Sequence, residues 1–211
     1  MYLSRVEIDS FNRRKIRELT HLGAYHNWVE SSFPNEFETG EKSRKLWRID
    51  RVHGKNYLLV VSDKKPDLTA LEKYGVEGSG ATKNYEQFLS QIRDGQTYRF
   101  KAVLNPVYSV HQDNNERGKV VPEITVEQQL KFLENRAEKY GFKLIENNYA
   151  ITERKREILR KERQKPIKIS KVTYEGLLTV TSSDLLKNAL INGIGREKAY
   201  GCGMMTIIPA Y

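Results

Sequence analysis

The chain has 211 residues, a net charge of +9 and a hydrophobic fraction of 38%, with twelve Tyr. That length fits one large domain or two of about a hundred residues each, and the hydrophobic fraction excludes a disordered chain. The single cysteine, Cys202, excludes an internal disulfide and a cysteine-based zinc site, fits a reducing cytoplasm, and leaves the basic excess to indicate a polyanionic partner, nucleic acid before membrane surface.

Residues 2–8 set Tyr2, Ser4, Val6 and Ile8 against Leu3, Arg5 and Glu7, the alternation of a strand and not a signal peptide. No apolar run reaches membrane-spanning length. Residues 13–33 predict one helix, weakened at Gly23 by about 1 kcal/mol relative to Ala and stopped by Pro34. Residues 35–43 read as a polar loop. Residues 45–52 and 57–61, joined through His53-Gly54-Lys55, predict a hairpin. A short helix follows over 66–74, and 81–92 fits a strand or a short helix. Residues 97–104 predict a strand ending at Asn105-Pro106. Thr125 with Gln128 has the capping-box pattern, and Val126, Leu130, Leu133 and Ala137 follow at helical spacing until Gly141. Strands over 142–151 and 168–180 flank a basic excursion, 182–191 is a second helix, and 204–208 is a final strand. Each half thus reads β-α-β-β-α-β. The expected class is α+β, two tandem ferredoxin-like domains over residues 1–93 and 94–211, an architecture shared with RNA-recognition (RRM-like) folds.

The chemistry concentrates in three places. The first is the run from Asn192 to Ile208, where Gly193, Gly195, Gly201 and Gly203 form two Gly-x-Gly pairs around Arg196 and Lys198. Glycines let backbone amides approach a ligand and allow positive φ, and the two cations suit phosphate. The run is neither a P-loop nor a dinucleotide fingerprint, because its helix precedes the strand. A plain glycine-rich turn remains the alternative. The second is the stretch from Arg154 to Lys171, with nine Lys or Arg (Arg154, Lys155, Arg156, Arg160, Lys161 and Arg163 among them) against two Glu. On a hairpin or loop that charge can follow phosphates; as a bare charge run it is a solvated loop. No aromatic RNA-binding motif marks any strand, so duplex or hairpin RNA fits better than stacked single strands. The third is His26, in the stripe Leu19, Leu22, His26, Val29, Phe33. That spacing turns it toward the core, but the end of its helix can also face the glycine run, where a histidine suits acid–base work. The other histidines, His21, His53 and His111, lack metal-ligand spacing with it or with each other. A phosphate enzyme of small molecules is a further class, disfavoured because a magnesium-binding carboxylate set is missing.

Several segments together resemble the CasE family of CRISPR repeat-processing endoribonucleases of type I-E systems. They are the opening Met1-Tyr-Leu-Ser-Arg-Val, the run His26-Asn-Trp-Val-Glu-Ser-Ser-Phe33-Pro34, the end Leu104-Asn105-Pro106, and Tyr174-Glu-Gly-Leu-Leu-Thr-Val180 followed by the glycine run. The resemblance spans the chain in order. It implies two ferredoxin-like domains and cutting of precursor CRISPR RNA at the base of the repeat hairpin. It implies no metal and no cofactor: a 2′-hydroxyl attacks the adjacent phosphorus and leaves a 2′,3′-cyclic phosphate and a 5′-hydroxyl. It also implies retention of the product within the Cascade complex, so that the partners are repeat RNA and other Cascade subunits, with no membrane. The catalytic histidine it implies, placed relative to Pro34, is His26. Some members carry a tyrosine three residues earlier, where this chain has Gly23; Tyr25 is the neighbouring substitute if the helix is locally irregular. An arginine common two residues before Asn105 is Val103 here, and Lys101 keeps a basic side chain on that strand.

Overall fold

The computed structural model describes residues 1–110, 118–159 and 166–210. Two four-stranded antiparallel sheets organise them. The first joins β1 (Tyr2–Glu7), β2 (Lys45–Val52), β3 (Lys55–Ser62) and β4 (Ala81–Asn84) in the order β2-β3-β1-β4. The second joins β5 (Thr97–Leu104), β8 (Phe142–Leu159), β9 (Ile167–Val180) and β10 (Met205–Pro209) in the order β10-β5-β9-β8. Read from opposite ends the two orders are the same, so the expected tandem ferredoxin-like α+β fold is what forms. A small ribbon, β6 (Val107–Val110) with β7 (Lys119–Pro122), lies beside them.

Local chemistry explains the elements. The β2–β3 hairpin closes in two residues, His53 and Gly54, both at positive φ (49° and 78°), the geometry that matches strand twist. The helix α6 (Val126–Ala137) carries the expected reciprocal cap between Thr125 and Gln128. The helix α7 (Ser183–Asn192) is capped by Ser182. Among the described residues no helix is long and apolar enough to cross a membrane.

Three expectations need correction. Residues 13–33 form two helices, α1 (Arg13–Ile16) and α2 (Leu22–Ser31), because His21 takes extended backbone (φ −154°) and its Nδ1 accepts the Ala24 N–H at 3.2 Å. A side chain that caps a new helix cannot also continue the old one. Pro34 starts a helix as well as ending one: α3 (Pro34–Thr39) has it at the first position, where its missing N–H costs nothing, and Gly40 ends it at φ 70°. The basic excursion is mostly strand. β8 and β9 stay paired from Phe142↔Val180 out to Leu159↔Ile167, through register shifts at Leu144/Tyr149 and Ile151/Glu153. Residues 66–74 hold only a short α4 (Leu68–Leu71), and 81–92 contain both alternatives, β4 and then α5 (Glu86–Leu89).

The two sheets are packed as one body. Trp47, Leu58 and Val60 point toward Trp28 and Val29 of α2, and share that core with Leu159, Ile169 and Cys202 from the second sheet's domain. Their neighbours Leu46 and Val61 point the other way, into the core built on Phe100, Leu133, Tyr174 and Leu190. The strands β2 and β3 are therefore buried on both faces, which explains the unbroken run Leu58-Leu59-Val60-Val61. Buried Arg48 ties β2 across: its Nη1 donates to the Lys101 carbonyl at 2.8 Å and its Nη2 to Thr206 Oγ1 at 2.8 Å, while Nε and Nη2 grip Asp50 at 2.9 and 2.7 Å.

Candidate active site at the junction of the two domains

His26 does not enter the core. Leu22, Val29 and Phe33 of its stripe are buried, but the histidine side chain is 32% exposed. Leu22, Trp28 and Val29 carry the buried face of α2, and His26 stands on its rim where the other domain arrives. What arrives is a 3₁₀ turn, Lys198–Tyr200, inside the glycine run. The His26 and Tyr200 rings lie 5.9 Å apart between centroids, tilted by 60°. On the helix side, His26 Nδ1 is 4.0 Å from Glu30 Oε1.

Tyr25, one residue back on a regular helix, points elsewhere. It stacks on Trp47 at 5.8 Å and 20°, and burial first, then the Glu157 carboxylate, push its hydroxyl pKa up. It is therefore a neutral hydroxyl at any ordinary pH. Trp47 donates its Nε1–H to the Ala199 carbonyl at 3.0 Å, and Lys171 Nζ lies 5.3 Å over the same ring. The indole thus locks the 3₁₀ turn to the first domain.

The glycine run is a folded turn whose amides divide into two groups. Gly193 N–H donates to Ala189 O (2.8 Å), Ile194 N–H to Gly203 O (2.9 Å), and Gly203 N–H to Val103 O (2.6 Å). These close the turn on itself and on β5. Between them Gly195, Arg196, Glu197, Lys198 and Ala199 form the outer arc, with Arg196 and Ala199 exposed. Gly201, at φ 76°, has no room for a side chain: a Cβ would stand 2.7 Å from Trp47 and 2.9 Å from Lys171 Nζ. Gly195, at φ 79°, has space around it. Lys198 donates to the Asn192 carbonyl at 2.7 Å, and burial, then the charge of Arg44, push its pKa down. Two cations from different domains therefore oppose each other at the turn. Arg196 Nη2 reaches Ser109 Oγ at 3.4 Å. Beneath the turn Cys202 is buried, and burial pushes its thiol up to about 12.

A cleft of about 490 Å³ runs from Gly201 between β2 and the β8–β9 ladder. Arg51, Lys155 and Lys171 line it together with Glu153 and Glu157. Lys101 also lines it, held between Asp50 (3.3 Å) and Glu175 (3.1 Å). The ladder alternates, so Arg154 and Arg156 turn with Lys168 into a second hollow of about 550 Å³ beside Gln129 and Ile124. Lys155 is paired with Glu153 at 2.7 Å. Arg160, Lys161 and Arg163 lie outside the described residues, as does His111. His53 sits in the β2–β3 turn, away from His26's helix. Among the described residues no three His, Cys, Asp or Glu side chains cluster as metal ligands would.

The structure thus brings His26, Tyr25, Lys198 and Gly201 to one junction, and sets Arg154 and Arg156 on the ladder that leads from it. Sequence reasoning missed Glu30, Arg44, Trp47 and Tyr200. Glu30 was findable as the residue four on from a candidate histidine in a helix; the others reach the site only through pairing between distant segments.

Comparison with known proteins follows this geometry. A family model described as CRISPR associated protein matches residues 1–209. A protein of Thermus thermophilus named CRISPR-associated endoribonuclease Cse3 is 26% identical over 220 residues, covering 99% of this chain and 100% of its own. The Escherichia coli K-12 protein named CRISPR system Cascade subunit CasE is 26% identical over 219 residues, with the same coverage. Among solved structures, Thermus thermophilus Cse3 bound to an RNA representing a pre-cleavage complex superposes with a TM-score of 0.79 at 24% identity, covering 99% of this chain and 98% of that one. Cas6e from Escherichia coli K-12 gives 0.61 at 23% identity, covering 99% and 100%. These structures share the fold of this chain.

Proposed function

The chain belongs to the CRISPR-associated protein family that contains Cse3 and CasE, and on that premise we propose that it is an endoribonuclease that cuts precursor CRISPR RNA at the base of the repeat hairpin. It then stays on the product as a Cascade subunit. Relatives named as an endoribonuclease and as a Cascade subunit align with it end to end. The observation that carries the reading is the meeting of His26 with the glycine-rich turn of the other domain, 5.9 Å from Tyr200, with a charged cleft that starts at Gly201 of the same turn.

The reaction needs a proton taken from the attacking 2′-hydroxyl, a proton given to the leaving 5′-oxygen, and positive charge near the crowded phosphorus. An imidazolium gives up a proton near neutral pH, which makes His26 the acid for the leaving 5′-oxygen, while solvent takes the proton of the 2′-hydroxyl. Lys198 and Arg44 repel each other, and a phosphate brought next to both relieves that repulsion while the developing negative charge is stabilised. Tyr25 stays protonated, because burial holds its hydroxyl pKa up, and takes no proton in this scheme. The side chains of the ladder then hold the hairpin stem by its phosphates. In this scheme the proton given to the leaving oxygen and the charge beside the phosphorus come from side chains, with no metal.

The test is incubation with repeat hairpin RNA in EDTA. The unaltered protein is expected to leave a 2′,3′-cyclic phosphate and a 5′-hydroxyl. His26→Ala is expected to lower the single-turnover rate by about 10²–10⁴-fold, the usual size of acid–base catalysis, with hairpin affinity little changed. Unimpaired cutting by His26→Ala would overturn the assignment. A second reading, a hairpin-binding scaffold that does not cut, is favoured by Gly23 standing where some relatives carry a tyrosine; tight binding without cutting by the unaltered protein selects it.

A further inference from the structure

Behind His26 lies a largely buried group of charges. Lys45 begins β2, yet its side chain is 1% exposed. Its ammonium donates to Glu36 Oε2 at 2.6 Å, to Glu30 Oε2 at 3.2 Å and to the Ser43 carbonyl at 3.2 Å, and it sits 4.9 Å over the Phe33 ring. Glu36 also accepts the Ser43 hydroxyl and N–H. Burial alone pushes the Glu36 carboxyl up, but hydrogen bonds from Lys45 and Ser43 outweigh it and hold the group below its ordinary range. Glu36 is thus ionised and committed to Lys45. The second carboxylate, Glu30, uses Oε2 on Lys45 and turns Oε1 toward His26 Nδ1 at 4.0 Å.

Charge counting gives this arrangement its meaning. Two carboxylates and one ammonium leave the cluster with one negative charge, and an imidazolium at position 26 balances it. Lys45 and Glu36 are the buried pair, so the excess sits on Glu30, on the side that faces His26. We infer that Glu30, fixed in place by Lys45 and Glu36, is a positioning residue for His26. Its carboxylate favours the proton on Nδ1 and stabilises the imidazolium that gives a proton to the leaving oxygen. The other titratable groups about the histidine come from separate elements: Tyr200 and Lys198 from the 3₁₀ turn, Arg44 ahead of β2, and Glu157 of β8 beyond Tyr25.

The inference rests on the reading of His26 as the proton-transfer group, and two measurements separate the two ideas. The first is the NMR titration of the His26 ring in RNA-free protein, its signal identified by its loss in His26→Ala. Removing a carboxylate at this distance from a partly exposed imidazole should lower the midpoint by about one pH unit in Glu30→Gln. The second is the single-turnover cleavage rate against pH, where the limb governed by His26 should move down by the same amount and the imidazolium-dependent rate should fall about tenfold. Hairpin affinity and the melting temperature should stay near those of the unaltered protein, because the amide keeps the shape and can still accept from Lys45. An unmoved His26 titration in a folded Glu30→Gln protein overturns the inference, whether or not the protein cuts RNA. A moved titration with an unmoved rate profile also overturns it, since Glu30 would then act on a histidine that does not carry the reaction. Absence of cutting by the unaltered protein defeats the nuclease reading, and the titration still decides whether Glu30 governs the histidine.

Discussion

At the scale of single residues, the two glycines at the turn make opposite demands. A side chain at Gly201 meets the Trp47 ring at 2.7 Å and also needs positive φ, whereas a side chain at Gly195 meets only the Phe132 ring edge at 3.8 Å. Overpacking costs about 1–3 kcal/mol and a left-handed β-branched residue about 1–2 more. Gly201→Val should therefore lower the melting temperature by roughly 5–15 °C and loosen the Trp47 to Ala199 bond, with RNA affinity falling in step. Gly195→Asn should melt near normal, because asparagine tolerates that backbone. Equal melting curves for the two variants would show that the indole does not pack against the turn. The residue scale is also where the sequence said least. His26 was legible, and its position beside the other domain was legible as one of two options. Tyr200 and Trp47 were not, because an aromatic at a turn and a tryptophan in a strand gain meaning only from a contact between segments some 150 residues apart.

At the scale of elements, capping and turn chemistry were readable because they are local. Thr125 with Gln128, and His53-Gly54 between two strands, gave their elements correctly. The same physics explains the failures: His21 caps a helix where the pattern ran on, and Pro34 opens one where a loop was expected. The strands at 142–151 and 168–180 were readable, but the charged stretch beyond Ile151 was left as a hairpin or a loop because it carries no apolar alternation, and its pairing continues to Leu159↔Ile167. That pairing sorts the charges and makes a prediction. Arg154, Arg156 and Lys168 line one hollow, while Lys155, which borders both hollows, is paired with Glu153 at 2.7 Å. Replacing the first three by Gln should make the plot of log affinity against log salt shallower by about one unit per lost phosphate contact. Lys155→Gln should change it by less than half a unit. Equal slopes for all variants would place the RNA elsewhere.

At the scale of the molecule, the composition and the order of strands predicted two sheet-bearing domains, but not their docking. Docking depends on Arg48, a buried cation on β2 whose partners are a carbonyl of β5 and a hydroxyl of β10. Breaking a buried charge pair costs about 3–5 kcal/mol. Arg48→Met leaves Asp50 with Lys101 alone, so the loss should fall near the lower figure and reduce the melting temperature by about 6–12 °C. Because His26 and the 3₁₀ turn belong to different domains, the same variant should slow RNA cutting at temperatures where it remains folded. A normal rate there would mean that the junction holds its shape without the guanidinium.

Cys202 offers a practical return. It is the chain's single cysteine, and burial under the turn together with a thiol raised to about 12 leaves almost no thiolate at neutral pH. A colorimetric thiol reagent should find none in the native protein and one equivalent after guanidinium unfolding. The wild-type background is then silent to maleimide dyes. A Ser109→Cys variant, exposed beside Arg196, would carry a single fluorophore at the edge of the glycine turn, so that arrival and departure of the hairpin can be followed in real time at the expense of the Arg196–Ser109 contact.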